Sequence, residues 1–193
     1  MGASFDKYAV TLLLVECRWL NGFPQAWLRI EDLFEKARAS AYCNNPNDKG
    51  GPTFAGITLS TYRQYYGRHM SIEDLKHMAY HEWRAIFKTG YWDVMQADKI
   101  ENQSIADLCV DWLVNSGVGK VRNIQRVLGV QADGVVGPKT LAAINDTPCP
   151  MCLHTKIKEA RETYYRQIVT SDRSQSVFLM GWLNRLGLFN FSL

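Results

Sequence analysis

The chain has 193 residues, which suits one domain or two small ones and is long enough to bury a substantial core. Apolar residues make up 47% and charged residues 21%, a balance that excludes an intrinsically disordered protein. The net charge of +3 is slight and no clustered stripe of Lys and Arg accompanies it, which argues against a nucleic-acid-binding protein.

Cysteine usage predicts reduced thiols, because five cysteines are an odd number in a chain too large to depend on disulfides. Cys149 and Cys152 form a CxxC motif, but without a second pair they supply too few ligands for structural zinc. His77 and His81 are four residues apart but lack the acid of an HExxH motif. We therefore expect no metal site and no organic cofactor.

The apolar run at residues 9–15 is too short to cross a bilayer, and it lacks the flanks of a signal peptide. We therefore expect synthesis in the cytoplasm, without a recognisable signal peptide and without an integral membrane segment. A protein of this kind that works outside the cytoplasm depends on a separate export or release step.

The N-terminal part of the chain carries two helical patterns. The first covers residues 5–16 and ends at Glu16. A carboxylate there is either a solvated helix end or an acid whose protonation is shifted by apolar surroundings, and spacing alone favours the first. The second helix begins at Pro24 and is amphipathic. Its predicted apolar stripe consists of Trp27, Ile30, Phe34, Ala37 and Ala41.

A loop rich in turn residues follows, with the sequence YCNNPNDKGGPTFAGIT over residues 42–58. It contains a carboxylate, Asp48, and a hydroxyl, Thr53. Its length and the charge inside it favour a functional loop over a simple connection. We expect residues 54–58 to form one arm of a small hairpin.

The rest of the chain is predicted to be helical. Helices are expected from Ser71, over 81–89, from Ser104 to Leu113, over 120–128, from Pro138, over 153–170 and around Trp182. Asp111 and Asn115 share one helical face, so they either line a polar cleft or are a surface acid and a helix-terminal Asn. The fold class is mostly α, with at most a small β-hairpin.

Four blocks of sequence, in order, resemble one family: FDKYAVTLLLVE, NNPNDKGGPTFAGIT, ADLCVDWLVNSG and IQRVLGVQADGVVGPKTLAAIN. They are similar to the N-acetylmuramidases of glycoside hydrolase family 108, whose members are also described as secretion activators or phage-type endolysins. The resemblance implies a lysozyme-like helical catalytic region over residues 1–117. It also implies a helical peptidoglycan-binding region over 118–193 packed on it, whose module contains Asp133, Gly134 and Gly137.

The catalytic acid of that family lies nine residues before the loop Asp, in a motif that reads Glu-Gly-Gly-aromatic. Here that position is Ala39, and the motif reads Ala-Ser-Ala-Tyr, ending at Tyr42. The family's first helix normally ends at this Glu, eleven residues after the Phe of Phe-Asp-Lys, a position occupied here by Glu16. We therefore align Glu16 with the family acid and interpret residues 17–41 as an insertion.

By this resemblance, Glu16 protonates the leaving oxygen, Asp48 acts as the base, and Thr53 holds the water. The residues implied in sugar binding are Tyr42, Asp111 and Asn115. The implied activity is cleavage between N-acetylmuramic acid and N-acetylglucosamine, with inversion by analogy only.

The expected partner is bacterial peptidoglycan, with no nucleic acid, and we expect a monomer that acts at the cell wall after export or holin-type release. The departure at Ala39 leaves an alternative open, a cell-wall-binding protein that has lost catalysis through the insertion. A helical adaptor without affinity for the wall is a third interpretation.

Overall fold

The computed structural model describes residues 2–17, 29–44 and 51–192. Within these ranges the chain forms ten α-helices and one three-stranded antiparallel sheet, which confirms the predicted mostly α class. The chain divides into two compact units. We call Asp6–Gly90 the N-unit, and Tyr91–Leu193 together with Met1–Phe5 the C-unit. Among the described helices, none combines the length and apolarity needed to span a membrane.

The first five helices and the sheet lie in the N-unit, except that Phe5, the first residue of α1, belongs to the C-unit. They are α1 (Phe5–Glu16), α2 (Ile30–Ala41), α3 (Leu59–Tyr66), α4 (Ile72–Lys76) and α5 (Tyr80–Phe87), and the strands are β1 (Tyr42–Cys43), β2 (Thr53–Phe54) and β3 (Ile57–Thr58). The C-unit contains α6 (Gln103–Ser116), α7 (Val121–Leu128), α8 (Pro138–Asn145), α9 (Pro150–Ser171) and α10 (Ser176–Gly187). A π-helical turn over Lys88–Trp92 follows α5.

Helix α2 confirms most of the predicted apolar stripe. Phe34, Ala37 and Ala41 are buried, whereas Ile30 is half-buried and the expected start at Pro24, with Trp27, lies outside the described residues. The ring of Phe34 lies 5.9 Å from that of Phe54, between centroids. Helix α2 therefore packs by its apolar face against the hairpin that follows it.

Strands β2 and β3 form a hairpin, in which Phe54 pairs with Ile57 across a two-residue turn. Both turn residues have positive φ, 45° at Ala55 and 81° at Gly56, as the type I′ turns of two-residue hairpins require. The expectation of a single arm over 54–58 was therefore wrong. The segment contains the turn and parts of both arms.

Ala55 adopts this uncommon backbone because both of its backbone polar groups have partners. Its N–H donates to the carbonyl of Ala41 at 2.9 Å, and its carbonyl accepts from the indole N–H of Trp83, also at 2.9 Å. Strand β1 then pairs with β2, placing Tyr42 opposite Phe54. These contacts join the end of α2, the sheet and α5.

The first residues of the chain pack on the C-unit. The N–H of Ala3 donates to the carbonyl of Ile100 at 2.7 Å, and the N–H of Ser4 donates to the side-chain carbonyl of Gln103 at 2.7 Å. The rings of Phe5 and Trp92 meet edge to face, with centroids 5.6 Å apart. The C-unit is thus built from two separate stretches of sequence.

Cys149 and Cys152 are joined by a disulfide at the start of α9, so the expectation of reduced thiols was wrong for this pair. The three-residue separation places the two Cα atoms 5.2 Å apart across the first turn, within the usual range for a disulfide. The other three cysteines have free thiols.

Candidate active site

One cavity in the N-unit brings together three of the residues singled out in the sequence. Glu16, Tyr42 and Thr53 all line a space of about 320 Å³. Its other lining residues are Val15, Ser40, Ala41, Cys43 and Gly56. Helix α1 supplies the carboxylate, and the sheet with the end of α2 supplies the opposite walls. The structure therefore places Glu16 and Thr53 in one site.

Glu16 is fixed at the end of α1 by the burial of that helix. Tyr8, Leu12 and Leu13 are buried, whereas Glu16 itself is half-buried and lines the cavity. Burial, reinforced by the neighbouring charge of Glu16, raises the pKa of Cys17 to about 12. The thiol beside the acid therefore stays neutral at physiological pH.

Gly56 lies directly against the carboxyl group of Glu16. A Cβ atom added at Gly56 would lie 2.6 Å from the carboxyl carbon of Glu16. A glycine is needed here both for this close approach and for its φ of 81°. Sequence reasoning missed Gly56, although the Ala-Gly pair within FAGIT was the available signal for a turn at this point.

Thr53 has a defined hydroxyl orientation. Its Oγ1 donates to the carbonyl of Gly51 at 3.0 Å, which uses the single proton of the hydroxyl. Oγ1 can then only accept a hydrogen bond, through its lone pairs, from a water in the cavity. Thr53 is thus suited to accept a hydrogen bond from a water molecule.

Tyr42 and Cys43 form the β1 wall of the cavity. The Nζ atom of Lys76 lies 5.0 Å from the ring centroid of Tyr42, a distance at which a cation–π contact holds the ring in place. Cys43 is exposed and lies opposite Thr53 in the sheet register. The predicted sugar contact of Tyr42 stays a prediction.

Asp48, the base implied by the resemblance, lies outside the described residues, so its role also stays a prediction.

Asp111 is neither a cleft-lining residue nor a surface acid in this structure, the two alternatives that its spacing left open. It has no accessible surface, and its two carboxylate oxygens lie 2.6 Å from Nη2 of Arg161 and 2.6 Å from Nη2 of Arg185. Burial alone would raise the pKa of Asp111, but the charges of Arg185 and Arg161 outweigh it and hold the pKa below its usual value. Asp111 is an anchor between α6, α9 and α10.

Asn115 lies one turn further along α6 and is half-buried. The phenol of Tyr165 donates to its side-chain oxygen at 2.6 Å, and the Nε atom of Arg161 donates to that phenol oxygen at 2.7 Å. Asn115 therefore continues the polar network of the C-unit core, and its predicted sugar contact stays a prediction.

Asp133 and Gly134, two residues of the implied peptidoglycan-binding module, lie in a bend between α7 and α8. Buried Gln125 holds it: its amide nitrogen donates to Asp133 at 2.8 Å, and its amide oxygen accepts from the N–H of Gly134 at 2.8 Å. Hydrogen bonds from the Val135 N–H and from Gln125 lower the pKa of Asp133. Gly137 directly precedes α8, which begins at a proline as expected. Sequence reasoning missed Gln125.

Comparison with known proteins gives two matches in chain order. Residues 37–117 match the family model described as Glycosyl hydrolase 108, and residues 120–187 match the model described as Predicted Peptidoglycan domain. The chain thus contains a region that matches the glycosyl hydrolase 108 model, followed by one that matches a peptidoglycan domain. The family resemblance carried by the four sequence blocks is thereby confirmed.

The chain is also similar to a solved structure, that of Brucella abortus SagA, with 28% identity and a TM-score of 0.66, over 81% of this chain and 90% of that one. No curated protein matches the chain.

The glycosyl hydrolase 108 match and the compact units divide the chain differently. The match includes Tyr42, Thr53 and Gly56 but begins after Glu16. It also includes α6, which belongs to the C-unit. Helix α6 thus falls in the first family match by sequence and in the C-unit by packing.

Proposed function

We propose that this protein is an N-acetylmuramidase that cleaves the glycan strands of bacterial peptidoglycan, with Glu16 as its general acid. The glycosyl hydrolase 108 match and the peptidoglycan domain support a peptidoglycan hydrolase in general. The observation that carries the finer proposal is the cavity shared by Glu16, Tyr42 and Thr53. It supports the alignment of Glu16 with the family acid despite the substitution at Ala39.

The chemistry requires a proton for the departing sugar oxygen and a water to replace it. Glu16 gives its proton to the glycosidic oxygen as the bond to the anomeric carbon breaks. A water supplies hydroxide to that carbon, and its remaining proton passes to a base, the role we assign to Asp48. Thr53 accepts a hydrogen bond from this water through the lone pairs that its contact with Gly51 leaves open.

A zymogram containing bacterial cell walls tests this proposal. We expect Glu16→Gln to reduce clearing by roughly 100-fold or more, because a positioned general acid contributes about 10²–10⁴ in rate. Glu35→Gln is a matched control, because Glu35 is exposed on α2 and does not line the cavity. Its Oε1 atom lies 2.7 Å from Nη2 of Arg38. Clearing by Glu16→Gln, together with its loss in Glu35→Gln or Glu31→Gln, would contradict the alignment of Glu16 while leaving the family match intact.

The alternative is a wall-binding protein with impaired catalysis, and the substitution at Ala39 favours it. This alternative predicts that the protein sediments with purified peptidoglycan but releases no reducing ends. Wild-type release of reducing ends that Glu16→Gln abolishes would reject it. Either function places the protein at the cell wall after export or holin-type release.

A further inference from the structure

A second cavity opens on the N-unit beside the candidate active site. Its volume is about 440 Å³, and it is lined by Pro52, Leu59, Ser60, Arg63, Gln64 and Arg68. We call it the arginine cavity. Both of its charged side chains are exposed and positive, and Ser60 and Gln64 add neutral hydrogen-bonding groups. Among the described residues, no carboxylate forms an ion pair with Arg63 or Arg68.

The arginine cavity adjoins the active-site cavity through the hairpin. Pro52 lines the first and Thr53, its neighbour in the chain, lines the second, so their Cα atoms are about 3.8 Å apart. The carbonyl of Pro52 accepts from the N–H of Leu59 at 2.8 Å, which fixes this part of the wall to the start of α3. The hairpin is therefore a wall common to both cavities.

The side chain of Arg63 is oriented by a backbone contact. Its Nε atom donates to the carbonyl of Met70 at 2.7 Å, so the guanidinium is held in place without being neutralised. A guanidinium positioned in this way favours carboxylates and phosphates, which it can bind through two parallel hydrogen bonds. The arginine cavity is thus suited to an anionic group.

We propose that the arginine cavity binds a carboxylate of the peptide that is attached to the glycan strand beside the cleaved bond. This rests on the proposed function, because the active-site cavity must hold the sugar that carries the peptide. An extended peptide spans about 3.5 Å per residue, so two or three residues cover roughly 7–11 Å. Pro52 and Thr53, the neighbouring residues that line the two cavities, lie well within that reach.

Calorimetric titration of the full-length Glu16→Gln variant provides the test, since this variant leaves the ligand intact. The two ligands are a muramic-acid-containing disaccharide with its peptide and the same disaccharide without it. We expect tighter binding of the peptide-bearing form, and an affinity about tenfold lower for it after Arg68→Gln or Arg63→Gln. Binding of the peptide-free form should not change. Arg29→Gln, at an exposed arginine on the approach to α2, is the control.

Several outcomes would overturn the inference. Equal affinity for both disaccharides, or equal loss of both in the arginine variants, would show that the peptide is not recognised there. Tighter binding of a glycerol phosphate oligomer than of the peptide-bearing disaccharide would assign the cavity to a phosphate polymer. If wild-type protein clears the zymogram while the peptide makes no difference, only this inference fails. If no clearing occurs and neither disaccharide binds, the proposed function fails as well.

Discussion

Gly56 sets how closely the hairpin turn approaches Glu16. We expect Gly56→Ala to displace the Glu16 carboxyl group, because the new methyl group would lie 2.6 Å from its carbon. A misplaced catalytic group costs roughly 100-fold in rate, while the backbone strain at positive φ costs about 1 kcal/mol of stability. Wall-clearing rates and the free energy of unfolding measure the two effects.

Gly129→Ala is the control that separates the backbone strain at positive φ from the displacement of the Glu16 carboxyl group. Gly129 has a φ of 70°, and no atom lies within 4 Å of the position of its added Cβ. It should lose similar stability and keep its activity. A Gly56→Ala variant with wild-type activity would show that the carboxylate position does not depend on this contact.

Cys43 offers a chemical probe of the cavity. Its thiol is free and exposed, whereas burial raises the pKa of both Cys17 and Cys109 to about 12, and the other two cysteines are bonded. We expect a maleimide to add once and to block activity, because the adduct would occupy a cavity of about 320 Å³. Mass spectrometry counts the adducts. Cys43→Ser should retain activity under the same treatment, and inactivation of this variant would locate the effect elsewhere.

At the scale of elements, the hairpin depends on α5 through one buried hydrogen bond. Trp83→Phe removes the donor to the carbonyl of Ala55 and leaves that buried acceptor without its partner. We expect the N-unit to lose about 1–3 kcal/mol of unfolding free energy, the usual cost of an unsatisfied buried polar group. Denaturant unfolding monitored by circular dichroism measures the change.

Trp182→Phe is the matched control for loss of an indole. Trp182 is half-buried in the C-unit, where its ring stacks on Tyr165 at 5.3 Å between centroids. It should change the stability of the N-unit little. Equal destabilisation of the N-unit by both substitutions would contradict a specific role for the bond to Ala55.

These elements show what the sequence could predict. Apolar spacing was sufficient for α2 because burial of Phe34 and Ala37 is a periodic property of that helix. The hairpin register was not predictable, because an alanine at positive φ is held there by partners distant in sequence, the carbonyl of Ala41 and the indole of Trp83. The family resemblance, through the count of eleven from Phe5, singled out Glu16, but the cavity and the contact with Gly56 required the folded chain.

At the scale of the whole molecule, the buried cluster of Asp111, Arg161 and Arg185 anchors the C-unit. Its position was hidden from sequence reasoning, because a helical Asp near an Asn looks the same whether its face meets solvent or arginines from two later helices. In the folded protein these arginines outweigh the effect of burial and depress the pKa of Asp111. We therefore expect the unfolding free energy to decrease at acidic pH, where Asp111 becomes protonated.

We expect Asp111→Asn to lower the unfolding free energy at pH 7 by about 3–5 kcal/mol, since it leaves buried Arg161 and half-buried Arg185 without their counter-charge. The folded pKa lies below the unfolded value of about 3.9, so this stabilisation is complete above that pH. It is lost as the pH falls through the folded pKa. The gap between wild type and variant should narrow below about pH 4.

Unfolding free energies measured from pH 7 down to pH 3 test this linkage. Asp146→Asn, at an exposed position after α8, should follow the wild-type profile. A constant gap between wild type and Asp111→Asn across this range would show that the carboxylate does not carry the acid dependence.

Because the C-unit consists of two stretches of sequence, residues 1–5 and 91–193, the way the protein is truncated matters. A cut between the two family matches, near residue 118, would separate α6 from α9 and leave buried Arg161 without Asp111. A shortened protein that joins residue 5 to residue 91 through a few glycines would retain both stretches. Because Phe5 already meets Trp92, a short join is sufficient, and the shortened protein would lack the candidate active-site cavity but keep the packed helices for wall-binding assays.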